Sequence, residues 1–149
     1  MPLDLKIMYA TDPTTGRLTV DLAQAPTGGL ATVTGIDLLV QTVTRWMLLR
    51  VGANAFHPTH GNPAIDLAGQ DTPANPIDEI AGLVQIAEAT FLQAQQRAVA
   101  LGQLAPSETA QAFGAPDVRA GSKPGQYTLS FVVTNRAGQT GSVSIPVAV

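Results

Sequence analysis

The chain has 149 residues, a length that suits one domain of ordinary size. Hydrophobic residues make up 45% of it, which disfavours a disordered chain, and charged residues only 13%. That charge content is low for a soluble monomer and favours a subunit buried against other proteins. The net charge of −3 disfavours nucleic acid as a partner, and the absence of cysteine excludes disulfides and thiolate metal sites.

Neither export nor membrane insertion is indicated. The first residues lack a basic region followed by an apolar run, so no signal peptide is visible. The longest apolar stretch, 36–51, contains Asp37, Gln41, Arg45 and Arg50 and is too short and too polar to cross a bilayer. We therefore expect a protein made in the cytoplasm that has no membrane partner.

A hairpin is predicted at the N-terminus. The segments 5–9 and 17–22 read as strands, and Asp12-Pro13-Thr14-Thr15-Gly16 between them is a turn sequence. The segment 25–29, which contains Pro26 and two glycines, reads as a connector. We therefore divide a single domain, 1–149, into a hairpin with its connector, 1–30, and a main part, 34–149.

Two amphipathic helices are predicted in the main part. Apolar residues recur every three or four positions over about 35–51, with Thr34 at the start and Gly52 at the end. A second helix over about 76–102 would be roughly 39 Å long at 1.5 Å per residue. This length exceeds what a small domain needs to cover its own core, so part of the second helix is expected to have a partner.

The end of the chain alternates as strands do. A short helix is predicted over 106–113 and a loop over 114–125, followed by strands over 126–134 and 140–149. Pro146 lacks an amide hydrogen and predicts that the last strand lies at a sheet edge. The expected fold is α+β, with two main helices and antiparallel hairpins at both termini.

Chemistry-bearing residues are sparse. His57 and His60 stand three apart in a loop, with Asp66 six residues further on, and two histidines and a carboxylate can hold a metal. A small hydrolase using His57 and His60 is therefore one alternative. Loop hydrogen bonding is the simpler interpretation, and we expect no catalytic residue, no metal and no cofactor.

One segment carries a resemblance. Gln41-Thr42-Val43-Thr44-Arg45-Trp46-Met47-Leu48-Leu49-Arg50-Val51-Gly52 leads into Phe56-His57-Pro58-Thr59-His60-Gly61. This sequence resembles the signature of the baseplate wedge family of contractile phage tails, the lysozyme-like sheath-initiator proteins with a counterpart in type VI secretion. The motif positions are Gln41, Gly52, Pro58 and Gly61. In place of the Glu-Pro-Arg that the family has after its long helix, this chain has Ala115-Pro116-Asp117-Val118-Arg119.

The resemblance covers 34–149 and implies a non-enzymatic virion protein of the tail baseplate. Its partners would be other wedge proteins, tail tube and sheath, and its own copies, six in a ring. From the apolar pattern we hypothesise that partner contacts are made in two places: Leu83, Val84, Phe91 and Leu101 in a helix bundle with neighbouring wedge chains, and Leu129, Phe131, Val133, Val143, Ile145 and Val147 in the C-terminal hairpin. The alternative within the same class is a head–tail connector or a tail protein of a non-contractile phage.

Overall fold

A computed structural model describes residues 4–11, 18–28 and 31–149 of the chain. Side chains at positions 9–11 and 18–21 lie outside this description, as does the turn predicted at 12–16. In chain order the elements are β1 (Asp4–Leu5), β2 (Ile7–Thr11), β3 (Leu18–Leu22), β4 (Thr32–Val33), α1 (Gly35–Leu48), a 3-10 turn (Pro63–Leu67), α2 (Pro76–Ala100), a second 3-10 turn (Pro106–Glu108), β5 (Ala110–Phe113), β6 (Asp117–Ala120), β7 (Gln126–Asn135) and β8 (Thr140–Ala148).

The main sheet is built around β7. Strand β8 runs antiparallel along one side of β7 for its whole length. On the other side, β6 pairs with the first half of β7 and β5 with the second half, both antiparallel. The predicted C-terminal hairpin is therefore confirmed, and β8 pairs only with β7 among the described strands, as Pro146 indicated.

Both helices contribute to one core with a single face of this sheet. Alternate residues of β7 and β8 point inward because successive side chains of a strand face opposite sides. They meet the apolar sides of α1 and α2. The largest fully buried apolar side chains are Leu39, Val43, Met47, Ile80, Val84, Phe91, Leu129, Val133, Val143 and Ile145.

Helix α1 ends at Leu48, so the prediction that it continues to Val51 is wrong. Leu49 is extended, Val51 is exposed and Gly52 lies in the following turn at φ +82°. The returning chain supplies the reason. Asn62 donates from its side chain to the Met47 carbonyl (3.1 Å) and from its backbone to the Leu49 carbonyl (2.8 Å). These bonds satisfy carbonyls that the helix end leaves free.

Helix α2 spans Pro76–Ala100, within two residues of its predicted end. Pro76 occupies the first turn, where its missing amide hydrogen costs nothing, and Asp78 and Glu79 favour the helix dipole. No described helix is long and apolar enough to cross a bilayer.

The helix prediction over 106–113 is wrong beyond Glu108, since Ala110–Phe113 pairs with β7. Strand β6 lies in the segment 114–125, which was predicted to be a loop.

The N-terminal hairpin is confirmed as the antiparallel pair β2–β3, and β1 pairs with β4 just before α1. Main-chain hydrogen bonds join Lys6 to Ala31 (2.7 Å) and Ala23 to Lys6 (2.9 Å), so the connector folds back along the hairpin. The chain is thus a small α+β domain with antiparallel strands near both termini, as its sequence predicted.

Candidate functional site

The side chain of Gln41 ties the N-terminal strands to α1. Gln41 is buried at 5% exposure, its Oε1 accepts from the Ile7 amide (2.7 Å), and its Nε2 donates to the Leu5 carbonyl (2.8 Å). Close by, Arg45 pairs with Asp4 at 3.0 Å. The side-chain amide of Gln41 therefore hydrogen-bonds to the extended N-terminal backbone through one acceptor and one donor, as the main chain of a neighbouring strand would.

The segment 50–61, called the arm below, leaves α1 and returns to it. Gly61 is buried at φ +124°, and a Cβ there would lie 2.5 Å from the Leu49 carbonyl oxygen. Only glycine permits this close return of the chain. At Gly52 nothing lies within 4 Å of such a Cβ, so that glycine is required by its φ alone. Pro58 is exposed in the arm.

An aromatic stack holds the arm against the helices. The rings of His57 and His60 stack with centroids 4.4 Å apart and planes 7° apart. His60 lies 4.3 Å from the Trp46 indole, which meets Phe91 edge-on at 5.2 Å. Burial, and then the nearby charges of His57 and Arg97, lower the pKa of His60 below its ordinary 6.5.

Asp66, the third residue of the possible metal site, pairs with Arg50. No group of three or more metal-ligating side chains comes together among the described residues. The expected loop hydrogen bonding is present, since the backbone amides of His57 and His60 donate to the Asn54 and His57 carbonyls, and the two rings stack in addition.

The four residues of the predicted second helix that were expected to contact a partner have different environments. Val84 and Phe91 are buried in this chain's own core, which removes them as surface contacts, and Leu83 is half-buried against the same core. Leu101 alone of the four is open to solvent, at 72% exposure. The apolar spacing from which they were chosen marks the core side of the helix.

A different side of α2 is open and uncharged. We call it the α2 outer face; its exposed residues are Gly82, Gln85, Ile86, Ala89, Gln93 and Gln96. Between Glu79 and Arg97 the single charged residue of the helix is Glu88, which is half-buried. Burial raises the pKa of Glu88 to about 7, and its Oε1 is buried without a hydrogen-bond partner in the described part of the chain. The helix thus offers a solvent-facing strip that lacks the usual charges.

The six hairpin residues proposed for partner contacts also point into the core. Leu129, Phe131, Val133, Val143, Ile145 and Val147 are all at most 4% exposed. As side chains they are unavailable to a neighbour. The main chain of β8 is available on one side. Asn135 donates to the Gln139 carbonyl and Val149 to the Gly125 carbonyl, both at 2.9 Å, so the odd-numbered residues of β8 are the ones that bond to β7. The main-chain amide and carbonyl groups of the even-numbered residues therefore point to the free edge.

The sheet outer face, the side of β7 and β8 turned away from the helices, is polar but almost uncharged. Its members are Thr128, Ser130, Val132, Thr134, Ser142 and Ser144. The hydroxyls of Ser130 and Ser144 lie 3.2 Å apart across the two strands. The neighbouring β6 adds Asp117 and Arg119, which pair with each other at 2.8 Å. This face, like the α2 outer face, offers a neighbour little unpaired charge.

Three buried polar side chains were not singled out in the sequence. Gln95 accepts from the Ala110 amide (2.7 Å) and donates to the Glu108 carbonyl (3.2 Å), so it joins α2 to β5. Asn135 donates to the Ser107 carbonyl at 2.8 Å. Glu108 is 2% exposed, and both its carboxylate oxygens lack a partner among the described residues. No spacing signal identifies these residues, because a polar residue normally indicates surface.

In comparisons with protein-family models, with curated proteins and with solved structures, nothing was found to match this chain.

Proposed function

We propose that the chain is a structural subunit of a phage tail, a baseplate wedge protein that assembles by docking. The observation that carries this proposal is the pair of surfaces with little unpaired charge on opposite sides of the domain. The α2 outer face lies on the helix side, and the sheet outer face on the other. Solvent-exposed helices and sheets usually carry charge, whereas the cores of protein interfaces are depleted in it. A subunit with two such surfaces can contact two neighbours at once.

The order of the elements supports the family resemblance. The resemblance implies an apolar helix opened by a glutamine, an arm with a second glycine, a long helix and a C-terminal strand pair. Helix α1 with Gln41, the arm ending at Gly61, α2, and the β7–β8 hairpin follow in this order. On this proposal about six copies surround the tail tube, as the family resemblance implies.

The free edge of β8 is the proposed contact with the first ring of sheath subunits. An added strand would bond to the outward groups of Ser142, Ser144 and Ala148, while Pro146 offers only its carbonyl. Deletion of 140–149 is a poor test, because it would remove Val143, Ile145 and Val147 from the core. A single edge substitution tests the contact without this damage.

The variant that tests the edge contact is Ser144→Pro, which removes one outward amide hydrogen and keeps the hydrogen bonds between β8 and β7. Its matched control is Ser144→Ala, which loses the same hydroxyl but keeps the amide. We expect both purified proteins to fold, Ser144→Pro to fail in recruiting sheath, and Ser144→Ala to recruit it. Equal sheath assembly with both variants would show that the free edge is not the sheath contact.

The α2 outer face is tested by placing a charge on it. Ala89→Glu puts a carboxylate at the centre of this face, and Ser122→Glu puts one in an exposed loop before β7. We expect Ala89→Glu to leave the isolated chain folded but absent from assembled baseplates, because an unpaired charge is costly to bury in an interface. If both variants enter baseplates equally, the α2 outer face is not an interface.

The class of assembly is tested by sedimenting the tagged protein from its native lysate and identifying by mass spectrometry what travels with it. Tube, sheath and other baseplate chains in the same fraction would support the wedge. Tube chains without sheath would replace it with the non-contractile alternative. A slowly sedimenting monomer with no companion would overturn the structural role.

A further inference from the structure

The second half of the arm is held to the helices in two ways, by the backbone geometry at Gly61 and by two ionisable rings just before it. At the Gly61 end, the close return to Leu49 and the buried Asn62 fix the chain. Further along, the outward-facing side of the arm is held by His57 stacked on His60, and His60 placed on Trp46. Phe56, next to this stack, is 90% exposed and contributes little to holding the arm. The two histidines supply the ring contacts between this half of the arm and α1, while Arg50 pairs with Asp66 at the start of the arm.

We propose that the His57–His60–Trp46 stack is an acid-sensitive latch that holds the arm on α1 and α2 and releases it when the imidazoles are protonated. Two face-to-face imidazolium rings 4.4 Å apart repel each other. The charged or ionisable groups that act on His60 are His57 from its own arm and Arg97 from α2, and the α1 residue against it, Trp46, is uncharged. Protonation thus gathers three positive charges. Attraction between a protonated imidazole and the Trp46 indole favours the latched arm, but it acts on His60 only.

The direction of the pH dependence follows from proton binding. In the latched arm the pKa of His60 lies below its ordinary 6.5, because of burial and of the neighbouring His57 and Arg97. A released His60 would titrate nearer 6.5, so below that pH the released arm binds more protons than the latched one. The latch is fully effective above pH 6.5, and it weakens as the pH falls through the pKa of His60 in the latched arm.

The chain is well suited to a test, since it has two histidines and one tryptophan. We would titrate both imidazoles by NMR and measure acrylamide quenching of Trp46 from about pH 8 to about pH 5. We expect His60 to titrate below 6.5, quenching to rise over the same range, and far-UV circular dichroism to stay constant. Unchanged quenching, or a rise accompanied by loss of circular dichroism, would overturn the latch.

Two variants separate the latch from ordinary acid effects on an indole. His60→Phe keeps an aromatic ring on Trp46 that cannot be protonated, and its quenching should not depend on pH. Arg97→Gln, at an exposed position of α2, should raise the titration midpoint of His60 and reduce the acid-induced rise in quenching. A full rise in His60→Phe would contradict the proposal, and so would an unchanged midpoint in Arg97→Gln. The second variant decides the question if the first does not fold.

Discussion

Gly141 of β8 lies directly beneath Val40 of α1, so close that a Cβ on the glycine would overlap Cγ2 of the valine. The same Cβ would lie 3.3 Å from Cγ1 of Ile36, one turn earlier on the helix. Valine is branched at Cβ and has few rotamers by which to move aside. The distance between α1 and the edge strand is therefore set by the missing side chain at position 141.

We expect Gly141→Ala to lower the free energy of unfolding by about 1–3 kcal/mol, because an extra methyl in a tight contact displaces the helix. The control is Gly82→Ala in the exposed middle of α2, where nothing lies within 4 Å of a Cβ. That variant should be more stable by about 0.5–1 kcal/mol, since alanine suits a helix better than glycine. Urea denaturation measures both, and equal destabilisation would refute the packing argument.

Gln41→Leu should detach the N-terminal strands and leave the rest of the domain intact. The substitution leaves the Ile7 amide and the Leu5 carbonyl without their partner. Each unsatisfied group costs about 1–3 kcal/mol where it stays buried, so the strands are expected to open instead. Hydrogen exchange should show lost protection at Ile7 and unchanged protection in α2 and β7.

The neighbouring substitution Thr42→Val is the control for Gln41. Thr42 is exposed, and its hydroxyl donates within the helix to the Leu38 carbonyl at 2.8 Å. Protection at Ile7 should survive this change. Loss of protection in both variants would mean that α1 itself, and not the glutamine amide, had been disturbed.

Glu108→Gln should raise the thermal midpoint of unfolding. The carboxylate of Glu108 is buried with neither oxygen hydrogen-bonded in the described part of the chain, and a buried group without a partner destabilises the fold. Glutamine has nearly the same shape and cannot ionise, so a higher midpoint is expected. Glu79→Gln, at an exposed position in the first turn of α2, should not raise the midpoint, because it removes a charge that favours the helix dipole. A drop in the midpoint for Glu108→Gln would show that the carboxyl group has a stabilising contact.

Periodicity predicted the parts of this fold that depend on local pattern. The three- and four-residue spacing located both helices, and alternation located the β7–β8 hairpin. The end of α1 was missed because Val51 continues the apolar period, while the bonds from Asn62 that stop the helix come from a distant part of the chain. β6 was missed because four residues in a glycine-rich segment carry too short a pattern, and β7 supplies their pairing.

The candidate contact residues show a second limit of the sequence. Apolar spacing marks the side of an element that is buried, and does not say whether the burial is against the same chain or against a partner. Val84 and Ile145 were chosen on that spacing and are core residues. The α2 outer face, with glutamine, alanine and glycine, became recognisable only when the structure showed which residues were exposed.

Glu88 gives the unfolding free energy a defined pH dependence. Its pKa is raised from 4.5 to about 7 by burial, so between these values the folded chain holds a proton that the unfolded chain has lost. The free energy of unfolding therefore falls as the pH rises from 4.5 to about 7 and then levels off. Because the side chain is only half-buried and water screens part of the effect, we expect about 1–2 kcal/mol.

Glu88→Gln should remove this fall and be the more stable protein above pH 7, where wild-type Glu88 is charged in its half-buried position. Urea denaturation at several pH values measures the difference between the two chains, in which the contribution of His60 cancels. Glu79→Gln should follow the wild-type profile, because Glu79 is exposed. Parallel profiles for Glu88→Gln and wild type would show that the carboxyl is solvated, and that the α2 outer face has a charge beside it even at neutral pH.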